Sequence, residues 1–245
     1  MSPARPPELG DPCLAGFASS DPARATRFYE SVLAWRTRTV DGIALMGVRE
    51  TDFAVVYPQT RRARAAGVAP HWTPLITVSD ADSALASAVA LGALALREPF
   101  DAAAGRIAPI RDPTGATVSL WEAPPRADGV RLGASQDACS HELMTEDLAR
   151  ARRFYAELFS WRYHAGGPGR TTITLAGQAI GAMREPGASD SRPPGWIPAF
   201  AVADVGAATR MVKRLGGQRL GRASPGQSAL LRDPDGAVFA LFRGP

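Results

Sequence analysis

Apolar positions along the chain follow two periods. Ala25, Phe28, Tyr29, Val32 and Leu33 fall at i, i+3, i+4, i+7 and i+8, which is one face of a helix. Short alternating stretches at 53–57, 107–111 and 116–121 fit strands. Four segments share one order: a short apolar strand, an Asp, then an amphipathic helix. The four residues are Asp21, Asp80, Asp147 and Asp204, and Asp at that place is a helix N-cap. Gly92 and Gly216 stop the second and fourth helices. Asp112-Pro113-Thr114-Gly115 and Asp233-Pro234-Asp235-Gly236 are turns between strands. Each segment reads as a βαβββ unit, repeated four times.

The units are arranged as two similar halves. Phe28-Tyr29 aligns with Phe154-Tyr155, Trp35-Arg36 with Trp161-Arg162, and Cys13 with Cys139, all at one offset (154 − 28 = 126). Residues 71–93 match 195–217, and 111–122 match 232–243. The expected domains are 11–123 and 135–244, joined by a Pro- and Gly-containing linker near 123–134.

At 245 residues, with 45% hydrophobic and 21% charged positions, the composition is that of a globular protein. No apolar run reaches the roughly 20 residues of a membrane helix. The balance of 28 basic against 24 acidic residues is only +4. Its densest cluster, Arg61, Arg62 and Arg64, has no interleaved aromatic residue, so it reads as a solvated loop and not a nucleic-acid surface. Two cysteines do not make a disulfide framework. Lys213 is the sole lysine, so Schiff-base chemistry has no candidate beyond a helix-surface position. The Pro-rich start has no apolar stretch of the secretory kind. A cytoplasmic protein, monomeric or homodimeric, without nucleic-acid or membrane partners, is expected. No phosphate loop, nucleophile elbow or Cys-x-x-Cys is present, and no cofactor is expected.

The strand-Asp-helix-Phe-Tyr blocks, the Val78–Asp80 and Val202–Asp204 strand ends and the two Asp-Pro-x-Gly turns resemble the vicinal oxygen chelate superfamily of glyoxalases, dioxygenases and bleomycin-resistance proteins. The likeness runs from about 11 to 243 and is closest to the tandem, two-half actinobacterial type. It implies an α+β fold of four βαβββ units in two glyoxalase-like halves, each half a curved-sheet cup with helices outside. Which units pair to close each cup stays open. The fold itself fixes no activity.

Metal-binding members of that superfamily hold the ion inside the cup, with His or Gln on first strands and Glu on last strands. The resemblance carries those positions to Leu14, Thr73, Ser140, Ile197, Ser119 and Ala240, none of which is a good ligand. His141 is one residue off register and faces the helix side by strand alternation. A His141/Glu142/His164 metal site would need a bulge.

The same alternation points Leu14, Gly16, Ala18, Thr73, Leu75, Thr77, Thr117, Ser119 and Trp121 into the first cup. It points Ser140, Glu142, Met144, Ile197, Ala199, Ala201, Val238, Ala240 and Phe242 into the second. Such apolar walls with few polar groups suit an organic ligand. Trp121 and Phe242 are placed to stack on a flat ligand and Trp72 and Trp196 to form a rim, or else each Trp is plain packing; Ser140, Met144, Thr73 and Ser119 complete the binding set.

Glu142 is the one carboxylate aimed into a cup, where apolar surroundings raise a carboxyl pKa and suit it to proton transfer. Tyr163 or His164 on the next strand could assist; alternatively Glu142 pairs with an Arg such as Arg162. Three functions follow: a metal-independent enzyme of secondary metabolism performing isomerisation, cyclisation or elimination on a partly aromatic metabolite; a protein that sequesters a drug or natural product; or a metal-dependent glyoxalase or dioxygenase.

Overall fold

The computed structural model describes residues 7–40, 42–102, 105–124, 139–167, 169–187, 194–220 and 227–244; most of the expected linker lies outside them. The first half comprises β1 (Pro12–Ser19), α1 (Pro22–Leu33), β2 (Arg36–Val40), β3 (Ile43–Val48), β4 (Thr51–Pro58), α2 (Arg61–Ala65), β5 (His71–Val78), α3 (Ala81–Ala90), β6 (Leu94–Ala95), β7 (Phe100–Ala102), β8 (Gly105–Arg111) and β9 (Thr117–Glu122). The second comprises β10 (Cys139–Met144), α4 (Leu148–Phe159), β11 (Arg162–Ala165), β12 (Arg170–Leu175), β13 (Gln178–Arg184), β14 (Gly195–Val202), α5 (Val205–Arg214), β15 (Gln218–Leu220), β16 (Ser228–Arg232) and β17 (Val238–Arg243).

The four aspartates cap the four long helices. Asp21, Asp80, Asp147 and Asp204 each accept a hydrogen bond from a backbone amide in the first turn, those of Arg24, Ser83, Arg150 and Ala207. Gly92 and Gly216 follow the C-caps of α3 and α5 with φ of +93° and +89°, a left-handed geometry that ends the helix. No helix among the described residues is long and apolar enough to cross a membrane.

Each half forms one mixed sheet. The orders are β2-β3-β4-β1-β5-β9-β8-β6, with β7 paired to β8, and β11-β12-β13-β10-β14-β17-β16-β15. At each centre, antiparallel β1–β5 and β10–β14 join the two units of a half. The cups are therefore built within halves.

The hydrophobic cores are built the other way. One unites the first unit with the fourth: Phe17, Phe28, Tyr29 and Trp35 pack with Phe200, Val212 and Phe239. The other unites the second unit with the third: Ile76, Val118 and Leu120 share a cluster with Leu143, Phe154, Tyr155 and Trp161. Helices α1 and α5 touch, as do α3 and α4, and β5 lies against β14. Both cores occupy the helix faces of the sheets, so each concave face looks away from the joint between halves.

Two matched hydrogen-bond sets pin that joint. Tyr29 Oη donates to Asp233 Oδ2 at 2.7 Å and accepts from Trp72 Nε1 at 2.9 Å. Tyr155 Oη donates to Asp112 Oδ2 at 2.7 Å and accepts from Trp196 Nε1 at 2.9 Å. The other oxygen of each carboxylate closes its own turn, Asp233 Oδ1 accepting from the amides of Asp235 and Ala237, and Asp112 Oδ1 from those of Thr114 and Ala116. Burial pushes both tyrosines well above their ordinary pKa and raises that of Asp233.

Separating the halves uncovers both cores. Each large side chain left in water forfeits roughly 1.5–3 kcal/mol. Residues 1–124 expressed alone are expected to aggregate or self-associate through the exposed helix face, and to give a folded heterodimer when co-expressed with 125–245. Size-exclusion chromatography with light scattering checks this; a stable, monomeric, cooperatively folded first half would contradict it.

Candidate functional site

The two concave faces differ in what fills them. In the first, Leu14, Leu75 and Trp121 cluster with Cys13, Leu45 and Val55, and all are buried. Trp121 is 0% exposed, so neither ring face is open to a ligand, in contrast to the stacking role expected for it. Thr73 and Ser119 are buried in the same face. A Cβ at Gly16 would meet Leu75 Cδ1 at 2.6 Å, so Leu75 already occupies the space a side chain there would need. The first cup is a packed core.

Glu142 stands at the corresponding place in the second cup, by the offset of 126 (142 − 16). Here the face is open. Ser140, Glu142, Ala199, Ala201, Val238, Ala240 and Phe242 are all partly exposed, and Met144 and Ile197 are buried beneath them. Ala199 on β14, beside Ala240 on β17, leaves room that Leu75 takes up in the first half, while Phe242, the counterpart of Trp121, stays partly exposed.

Glu142 is not in apolar surroundings. Its Oε2 accepts from Arg170 Nε and its Oε1 from Arg184 Nε, each at 2.9 Å. The pairing places Arg170 beside Arg184 and Arg184 beside Met144, so both guanidinium groups rise on the cup face. Neither was singled out from the sequence; Arg162, expected as the partner, is exposed on edge strand β11. Glu142 and Arg184 are about a quarter exposed, at 25% and 24%, which makes this a half-sheltered charge cluster that solvent or a ligand can reach.

The other expected participants lie elsewhere. Tyr163 faces the helices and donates from Oη to the Arg152 carbonyl at 3.0 Å, away from Glu142. Trp72 and Trp196 are not a rim: one residue out of phase with Thr73 and Ile197, they point into the joint and serve Tyr29 and Tyr155. His164 is on the cup face, its Nε2 3.1 Å from Thr174 Oγ1. His164 and Arg170 also line a groove of about 400 Å³ at the edge of the sheet, with Arg152, Thr171 and Glu185.

His141 is 1% exposed on the opposite face from Glu142, and neither ring nitrogen has a partner among the described residues. His141, Glu142 and His164 therefore do not converge on one ion. The six positions where the superfamily carries metal ligands hold Leu14, Thr73, Ser119, Ser140, Ile197 and Ala240, a set with no imidazole or carboxylate. No group of three His, Cys, Asp or Glu able to hold a metal occurs among the described residues. These residues do not fit a divalent metal.

A family model, that of the glyoxalase-like domain, matches twice, over residues 15–121 and 140–242. The chain belongs to the glyoxalase-like family. Relatives of similar length include CFP32 of Mycobacterium bovis, a protein provisionally named a glyoxylase, 26% identical over 96% of this chain and 95% of that one. The anthracycline biosynthesis proteins DauV of Streptomyces sp. (strain C5) and DnrV of Streptomyces peucetius are 25% and 26% identical, over 95% of this chain and 92% of theirs. Among solved structures, homoprotocatechuate 2,3-dioxygenase from B. fuscum superimposes with a TM-score of 0.63 at 17% identity, covering 99% of this chain and 72% of the other. 4-Hydroxymandelate synthase from Streptomyces coelicolor gives 0.57 at 16% identity, covering 98% and 93%. These likenesses establish the vicinal oxygen chelate fold.

Burial depresses the His141 imidazole from its ordinary 6.5 to about 3. Between those values the unfolded chain takes up a proton that the folded chain refuses, so stability falls as pH drops below about 6.5. At pH 5.5 the expected cost is about 1.4 kcal/mol. His141→Leu should remove this loss while leaving the ordering of stabilities at pH 8 in favour of the variant. Urea unfolding of both proteins at pH 8 and 5.5 measures it; equal pH dependence in the two would contradict the placement of His141.

Proposed function

We propose that the protein is a metal-independent enzyme of natural-product metabolism, and that it moves a proton on a partly aromatic carbonyl metabolite held in the second cup. The observation that carries the reading is Glu142 between Arg170 and Arg184 on the open second cup, where the other half has Gly16 under Leu75. An apolar wall with a few convergent polar groups is the ordinary make-up of a small-molecule site. The names of two relatives, which place them in anthracycline biosynthesis, support a ligand with fused aromatic rings.

The chemistry open to such a site is enolisation. A carboxylate oxygen of Glu142 takes a proton from carbon beside the substrate carbonyl. The electron pair of that C–H bond becomes the C=C bond of the enolate, the carbonyl π pair moves onto oxygen, and the remaining N–H groups of Arg170 and Arg184 stabilise the oxyanion. Return of the proton at another carbon gives an isomer, and expulsion of a β-leaving group gives elimination. Neither route needs an oxidant or reductant. The ligand-position residues Ser140, Ile197 and Ala240 add no charge to this face, and Phe242 offers the ring body a stacking surface.

A second reading, sequestration of an aromatic natural product, is favoured by one feature: both arginines already satisfy Glu142 without a ligand. The two separate in one experiment. The protein is incubated in D₂O with a metabolite extract of anthracycline-producing Streptomyces cells and followed by mass spectrometry. Deuterium uptake into a bound compound, or growth of an isomeric or eliminated product, is expected. Glu142→Gln should lower turnover by about 10²–10⁴-fold while retention of the compound persists. Retention with no deuterium and no product would replace the enzyme reading with sequestration.

A further inference from the structure

The second cup carries more positive charge than Glu142 can balance. Alternation and pairing place Arg162, Arg170, Arg184 and Arg232 on its strands, against the one carboxylate of Glu142. Three of these arginines have an evident setting. Arg170 and Arg184 hold Glu142, and Arg162 is exposed to water. Arg232 has neither. It is half-buried at the end of β16, opposite Val238, and no hydrogen bond or ion pair engages its guanidinium among the described residues. Its neighbour Asp233 faces the other way and is committed to Tyr29, and Asp235 pairs with Arg24. The counterpart in the first half, Arg111, is exposed, so its charge is solvated.

Arg232 also stands in line with Glu142. Cross-strand pairing sets Glu142 opposite Ile197 on β14, and Val238 on β17 opposite Arg232 on β16. With Ala199 paired to Ala240, Ile197 and Val238 are level across β14 and β17. The row Glu142–Ile197–Val238–Arg232 therefore crosses the cup, with charge at both ends and apolar side chains between. Three strand spacings make this about 14 Å along the sheet, and less across its curve. That is the span of a body of two to four fused rings.

Resting on the reading of the second cup as the substrate site, we propose that the substrate is an aromatic carboxylic acid whose carboxylate is bound by Arg232. The ring body lies over Ala199, Val238 and Ala240, with Ile197 buried beneath, which brings its far end to Glu142 and Arg184. A partly buried guanidinium without a protein partner is costly. A ligand carboxylate supplies the missing partner in bidentate geometry, which arginine provides and lysine does not. Arg232 is thus a specificity residue that sets the orientation of the substrate and takes no part in the proton transfer.

The test uses the full chain and two probes of one shape, anthraquinone-2-carboxylate and anthraquinone-2-carboxamide, titrated calorimetrically. The carboxylate is expected to bind at least about tenfold more tightly. Arg232→Gln should bring the carboxylate down to the affinity of the amide and leave the amide unchanged. Arg232→Lys should restore part of the difference. An unchanged melting temperature shows that each variant is folded. Equal affinity of the two probes for the native protein, or a preference for the carboxylate that survives in Arg232→Gln, would overturn the assignment while leaving the cup as the binding site. If neither probe binds, the cup reading fails and this inference with it.

Discussion

The carboxylates of Asp112 and Asp233 hold the architecture together. Each closes its own Asp-Pro turn with one oxygen and receives a tyrosine hydroxyl from the opposite half with the other. A turn residue is thereby made an interdomain acceptor, and the tryptophan that donates to the same tyrosine completes the set. Such charge-assisted bonds in a dry joint are strong when complete and costly when broken. Because they sit on the helix faces, they fix those faces inward and turn both concave faces outward. Sheets are paired within halves and cores between halves, so neither half contains everything it needs.

This arrangement relieves the two concave faces of a shared task. Stability comes from the joint, and a cup can be filled or left open without altering it. The first is filled: Leu14, Leu75 and Trp121 close it, and Gly16 admits no side chain. The second has Ala199 where the first has Leu75, and carries Glu142, Arg170, Arg184 and Arg232. The two similar halves thus differ in how far the concave face is filled.

Much of the fold was legible in the sequence because its signals are local. A capping Asp before an apolar helical face, and an Asp-Pro-x-Gly turn before a last strand, depend on neighbours a few residues away. Alternation also separated the cup side from the helix side on β1, β5, β10 and β14. The rim expected of Trp72 and Trp196 rested on their place at the strand entry; alternation sets them one residue out of phase with the cup positions, and they pack in the joint. Three features depended on register between strands distant in sequence. The guanidinium groups of Arg170 and Arg184 reach Glu142 only because β12 and β13 align as they do, and Tyr163 turns away because β11 follows the same alignment. The fullness of the first cup is likewise a property of packing, which the separate apolar residues of its strands do not announce. The double duty of Asp112 and Asp233 was hidden for the same reason: the turn motif was visible, but its partner lay in the other half.

The claim on which the account turns is that one cup is a core and the other a site. A crystal structure of the protein with a bound anthraquinone or anthracycline tests it most directly. The ligand is expected in the second cup alone, over Ala199, Val238 and Ala240 and beside Glu142, with Trp121 and Leu75 unmoved. A ligand seated in the first cup, with Trp121 or Leu75 displaced, would contradict it.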